Sequence, residues 1–198
     1  SQSTKQDIVE LLQIPAAKIR VVYNGVEEVE RFSSAPADAL AKFAISKPFM
    51  LFIGTIEPRK NITGILQALD ELRGTAIFKN YQLVIAGKKG WFYNDIFRSV
   101  RELGLTKKVI FTGYVSKQEK YVLLNQAELF LFPSLYEGFG LSVLEAMREG
   151  TPVITSSISS MPEVAGEAGY LVDPGNTLAI GRAIKQVLAD KVLREEID

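Results

Sequence analysis

The chain has 198 residues, 47% of them hydrophobic, and its 23 Lys plus Arg balance its 23 Asp plus Glu. That balance leaves no electrostatic footprint for nucleic acid or an anionic membrane, and no apolar run is long enough to span a bilayer. There is no cysteine and no histidine, so disulfides, thiolates, the commonest general base and the commonest zinc ligand are excluded, and chemistry must run on carboxylates, cations and backbone donors.

Ser1-Gln-Ser-Thr-Lys5 is polar and leads into a helical pattern rather than a secretory leader. With the missing cysteines this places the expected location in the cytoplasm. Short apolar or β-branched runs then recur at Ile19–Tyr23, Phe49–Gly54, Gln82–Gly87, Val109–Gly113, Leu129–Pro133, Pro152–Thr155 and, more weakly, Tyr170–Val172. Between them, Ile62–Leu72, Tyr93–Leu103, Lys117–Asn125, Leu141–Arg148 and Leu178–Asp190 carry apolar residues three and four apart, which predicts helices. The stretch 27–47, rich in Ala, Ser and Pro, reads as a long surface loop or a poorly ordered stretch.

Punctuation agrees with these bounds. Ser116-Lys-Gln-Glu119 and Ser160-Met-Pro-Glu163 are capping-box patterns, Gly104, Gly150 and Gly166 sit where helices should end, and Asp173-Pro-Gly-Asn176 reads as a turn. Strands alternating with helices imply right-handed βαβ units. The expected fold is α/β, a Rossmann-like doubly wound parallel sheet in one domain over 1–198, with no internal repeat and no linker.

In such a sheet, ligands bind beyond the carboxyl ends of the strands. The segment Glu137-Gly-Phe-Gly-Leu-Ser-Val-Leu-Glu145 lies there, between the run ending at Pro133 and the helix from Leu141. A glycine turn opening a helix presents free N–H groups to an anion. Two carboxylates bracket it, which suits a ligand with phosphates in the middle and hydroxyl-rich groups at both ends, such as a nucleotide-sugar. Early-turn carboxylates also complement a helix dipole, which explains Glu137; Glu145, among the apolar Val143, Leu144, Ala146 and Met147, needs hydrogen-bond donors. For Phe139 the ring reads as core and only its N–H is a candidate.

After Gly54 comes Thr55-Ile-Glu-Pro-Arg59-Lys60, with cations at a helix start, where the dipole disfavours them. Beside the glycine turn, that placement favours a phosphate clamp over two solvated cations. Tyr114 and Val115 follow Gly113 and either line a base pocket or begin a loop. Lys88 and Lys89, after Gly87, read as solvated, the lesser alternative being that one of them reaches a phosphate. No G-x-G-x-x-G follows a strand, no P-loop motif is present, and no Asp-x-Asp pair offers a divalent-metal site.

With these residues assembled, the chain resembles the donor-binding half of retaining GT-B glycosyltransferases of family 4, the glycosyltransferases of group 1. The resemblance runs through Val21–Val26, Phe52–Asn61, Leu83–Trp91, Val109–Ser116, Leu129–Met147, Gly150–Ser156 and Met161–Pro174, with the E-x7-E pair Glu137 and Glu145 its most specific part. It implies that Glu145 binds the ribose, Glu137 contacts donor-sugar hydroxyls, and the N–H groups of the Gly138, Phe139, Gly140 and Leu141 turn meet diphosphate and sugar. Lys60, with Arg59 beside it, would neutralise the leaving diphosphate without a metal or other cofactor. Gly54 and Thr55 would adjoin the donor, and Tyr114 and Val115 would lie along the base. Many members carry Arg where this chain has Thr55, and Arg59 is the residue placed to supply that charge.

"GTIEPRKN" and "AGKKGWFY" are similar in wording to bacterial mannosyltransferases of polysaccharide assembly, which implies GDP-mannose as donor. The resemblance also implies an N-terminal acceptor domain that these residues do not include. A fragment of this kind is expected to be inactive alone, to bind no nucleic acid, and to have membrane association only through the missing half. The alternatives are a non-catalytic nucleotide-binding module and a fragment of a GT-B-type nucleotide-sugar epimerase.

Overall fold

The computed structural model describes residues 1–26, 39–46 and 48–189. At its centre lie β1 (Phe49–Ile53), β2 (Gln82–Ala86), β3 (Val109–Gly113), β4 (Leu129–Phe132), β5 (Val153–Ser156) and β6 (Tyr170–Val172). They form a six-stranded sheet in the order β3-β2-β1-β4-β5-β6, every neighbouring pair parallel. β1, β4 and β5 are buried along their whole length, whereas the edge strand β3 is buried only at Val109. Covering both faces is what demands near-continuous apolar strands, and Phe52, Phe130 and Phe132 fill the middle, with Phe132 stacked 5.7 Å from Phe52 and 5.8 Å from Phe130.

The helices are α1 (Gln2–Leu12), α2 (Ala39–Lys42), α3 (Ile62–Glu71), α4 (Ala76–Asn80), α5 (Tyr93–Glu102), α6 (Lys117–Gln126), α7 (Leu141–Arg148), α8 (Met161–Ala165) and α9 (Thr177–Ala189). α3 packs against α5 and α9 in one layer; α6, α7 and α8 follow one another in the other, with α2 against α6. Each crossover runs from one strand through a helix to the next parallel strand, the doubly wound arrangement expected above. No helix among the described residues is long and apolar enough to cross a membrane.

Three local expectations are corrected. Ile19–Tyr23 is not a strand: it lies outside the sheet, with Val22 79% and Tyr23 54% exposed, because its β-branched run finds no pleated neighbour to pack against. Of the stretch 27–47, residues 27–38 and Lys47 fall outside the described residues, while Ala39–Lys42 forms a helical turn with Ala39 buried. The capping box at Ser116 forms with Glu119, but the one at Ser160 does not. Ser160 donates instead to the carbonyls of Glu137 and Phe139, and the Glu163 carboxylate accepts from the N–H groups of Gln2 and Ser3. α4, which lacks a long apolar pattern, is opened by Thr75, whose hydroxyl accepts from the Phe78 N–H.

The switch point of the sheet lies between β1 and β4, whose crossovers leave in opposite directions. The segments after these two strands, Gly54–Asn61 and Pro133–Gly140, therefore flank one crevice. Two strand ends approach very closely there. Gly87 has φ +150°, its N–H donates to the Gly113 carbonyl at 2.8 Å, and any Cβ on it would overlap the Gly54 carbonyl oxygen.

Candidate functional site

The loop after β1 folds into a 3-10 turn, Pro58–Lys60, closed by Asn61 in the left-handed conformation (φ 54°). This turn sends both cations across the switch point to one carboxylate. Lys60 Nζ lies 2.5 Å from Oε1 of Glu137, and an Arg59 guanidinium nitrogen lies 2.9 Å from Oε2. Arg59 also bonds the Tyr136 carbonyl at 2.6 Å and Glu57 at 2.6 Å. Glu137 and Lys60 are nearly covered, with 8% and 11% of their side chains exposed, whereas Arg59 keeps 43%. Burial works to lower the Arg59 pKa, but its bonds to Glu137 and Glu57 outweigh that and raise it. Lys60 also sits 5.0 Å from the centre of the Phe132 ring. The two cations are thus held by a buried carboxylate rather than dissolved in solvent, and Glu137 does more than complement a dipole.

The glycine turn follows. Gly140, at φ 105°, is the residue before α7, and a Cβ there would overlap Met161. No side chain caps α7; the Val143 N–H bonds back to the Gly140 carbonyl at 3.0 Å, and Leu141, the first residue of the helix, lines the cleft described next. The Phe139 ring packs against the core and lies 6.0 Å from Tyr23, as a packing aromatic should.

On the far side of α7 a cleft of about 590 Å³ opens, lined among others by Gly54, Gly87, Tyr114, Val115, Leu141 and Glu145. Glu145 does find a donor: Lys120 Nζ, on α6, lies 2.5 Å from its Oε1. Tyr114 is 68% exposed and Val115 is buried. Lys88 and Lys89 are exposed, as solvated cations should be; the Lys88 ammonium lies 4.7 Å from the Tyr114 ring centre, and Lys89 lies over Tyr93 and Phe97. Thr55 is not among the residues that line the cleft; its methyl crowds the position a Gly90 Cβ would take.

Of the residues singled out in the sequence, Gly54, Tyr114, Val115, Leu141 and Glu145 line one cleft. Arg59, Lys60 and Glu137 form the cluster beside it, and Gly138, Phe139 and Gly140 make the turn between the two. Sequence reasoning missed Lys120, Ser159 and Ser160. The Glu137 N–H donates to Ser159 Oγ at 3.0 Å, and that hydroxyl donates back to the Glu137 carbonyl at 2.8 Å. No spacing rule could have found them, because each acts on a segment that only the sheet brings near. It also missed Gly25 and Val26 as part of the cleft lining, although their stretch carried part of the resemblance.

A parallel sheet in this order, with two carboxylates and a glycine turn at its switch point, defines a Rossmann-like domain of the GT-B glycosyltransferase kind. Residues 37–198 match the family described as "Glycosyl transferases group 1", and the chain belongs to that family. It is 37% identical over 200 residues to the O-antigen chain mannosyltransferase B of Escherichia coli, covering 98% of this chain and 52% of that protein. It is 33% identical over 203 residues to the Escherichia coli serotype-specific mannosyltransferase WbdA, covering 100% of this chain and 25% of that one. The chain therefore spans about half or less of the length of these curated relatives. The solved structure of Anabaena HepE in complex with UDP and glucose superposes with a TM-score of 0.84 at 20% identity, covering 100% of this chain and 54% of that one.

Proposed function

We propose that this chain is the donor-binding domain of a retaining, family 4 glycosyltransferase. In this reading it moves mannose from GDP-mannose to a saccharide or lipid-linked acceptor, with the acceptor domain supplied by protein outside these 198 residues. The observation that carries the reading is the disposition of Glu137 and Glu145 on opposite sides of one glycine turn, the first holding two cations and the second lining a nucleotide-sized cleft. The similarity to mannosyltransferases of O-antigen assembly supports the sugar.

Each group then has a task. Glu145 takes the ribose hydroxyls, and Tyr114 and Val115 flank the base. The N–H groups of Phe139, Gly140 and Leu141 meet the diphosphate and sugar. Lys60 and Arg59 stabilise the negative charge that grows on the diphosphate as the glycosidic bond breaks, the dominant kind of catalytic term in a preorganised site. Glu137 keeps these cations in place and offers its carboxylate to sugar hydroxyls. The leaving phosphate accepts the acceptor's proton, so this half needs no histidine, and it needs no metal where cations and N–H groups carry the charge.

Calorimetric titration with GDP, UDP and ADP and with the corresponding sugar nucleotides, in EDTA, tests the reading. Selective binding of GDP and GDP-mannose that is lost in Glu145→Ala is expected. A folded protein that binds no nucleotide at millimolar concentration would overturn it.

A further inference from the structure

The glycine turn is gripped by hydroxyl groups from two distant elements. A trans peptide is planar, with its C=O and the following N–H on opposite sides. Fixing a carbonyl on one side therefore aims the next N–H at the other. The Glu137 carbonyl accepts from Ser159 Oγ at 2.8 Å and Ser160 Oγ at 2.9 Å. The Gly138 carbonyl accepts from Thr4 Oγ1 at 3.0 Å, and the Phe139 carbonyl from Ser160 Oγ at 2.9 Å. Three consecutive peptide planes are thus oriented from outside, and the N–H groups of Gly138, Phe139 and Gly140 point away from the hydroxyls that hold them. Glycines at 138 and 140 would otherwise leave these planes free to rotate.

The grips are themselves anchored. Ser160 is fully buried, and its single O–H is shared between two carbonyls. Thr4 rides on α1, a helix with no buried residue that is tied down by hydrogen bonds. The Glu163 carboxylate accepts from the Gln2 N–H at 2.9 Å and the Ser3 N–H at 3.1 Å, and the Tyr136 hydroxyl donates to Asp7 at 2.7 Å. α1 contributes nothing to the core, yet it holds the central peptide of the turn.

We infer that Ser160 and Thr4 are positioning residues: they act through the backbone to aim the Phe139 and Gly140 N–H groups at the phosphate farther from the ribose. The inference rests on the donor-site reading above. It makes α1 a working part of the phosphate site, more than 130 residues away in sequence.

The test compares affinities for the preferred nucleoside diphosphate and its monophosphate, because only the former presents that phosphate. Thr4→Val, on an exposed helix, and Ser160→Ala are expected to weaken diphosphate binding about tenfold while monophosphate affinity stays within about twofold. Thr4→Ser, which restores the donor, is expected to behave as the parent. A loosened fold would instead weaken both ligands together. Variants that keep the full preference for diphosphate, or lose both ligands equally while Thr4→Val remains folded, would overturn the inference and leave the donor reading intact. A parent protein that binds the nucleotide without any such preference removes the phosphate role of the turn itself, and the inference with it.

Discussion

Lys120 Nζ lies 2.5 Å from Oε1 of Glu145, joining the early turns of α6 and α7 across the wall of the cleft. Both side chains are partly exposed, 30% and 23%, so the pair adds little to stability. Its consequence is geometric: one carboxylate oxygen is taken by the lysine, which fixes the direction in which the group meets a ribose. Lys120→Met should change unfolding free energy by less than about 1 kcal/mol. It should nonetheless weaken nucleotide binding about fivefold to tenfold, read by calorimetry. Unchanged affinity would make the lysine a surface partner only.

Lys60 is held between a buried carboxylate and the Phe132 ring. Removing it leaves Glu137 with Arg59 as its remaining cationic partner. Lys60→Ala should therefore lower stability by about 1–3 kcal/mol, measured by urea unfolding. In the full-length enzyme it should lower turnover on the order of a hundredfold or more. Near-parental turnover would remove it from the mechanism.

Gly87 tests the close approach at the head of the sheet. Its φ of +150° is unfavourable for any other residue, and a Cβ would overlap the Gly54 carbonyl oxygen. Gly87→Ala should cost about 3 kcal/mol or more, through strain and displacement of β1 from β2. A shift in unfolding midpoint of ordinary surface size would show that the two strand ends separate easily.

Acid should loosen α1. Burial of the Glu163 carboxyl tends to raise its pKa, but hydrogen bonds from the Gln2 and Ser3 N–H groups and from Tyr23 and Ser1 together bring it below the usual glutamate range. The Glu119 carboxyl is lowered too, first by its bond to Lys42 and then by Ser116. A carboxylate with a depressed folded pKa contributes stability that is fully present above its unfolded value, about 4.3, and lost as pH falls through the lower folded value. Glu163→Gln should flatten the fall of stability below about pH 4.3, and hydrogen exchange should find α1 less protected in the variant at neutral pH. An unchanged acid slope would show that Glu163 is not what docks the helix.

The amino-acid order by itself determined the layering of this protein. Val109–Gly113 and Tyr170–Val172 as strands and Leu141–Arg148 as a helix were legible with the bounds they have in the structure, because a short apolar or β-branched run between turn residues marks a strand, and apolar residues three and four apart mark the buried face of a helix. The crevice was legible for a related reason: a doubly wound sheet brings the ends of its strands to one side, so the residues after Gly54, Gly113 and Pro133 were bound to meet there. The local signal failed where a polar side chain had a choice of partners. Ser160 and Glu163 have the spacing of a capping box, yet each found better partners in segments that the folded sheet placed beside them. Ile19–Tyr23 has the composition of a strand but no neighbour to pair with. The same holds for Lys120 on Glu145, for two cations converging on Glu137, and for Thr4 on a carbonyl 134 residues away. A hydrogen bond falls off within about an ångström of its optimum, so which groups form one is decided by tertiary placement, whereas hydrophobic burial is broad and non-directional and can be read from the chain.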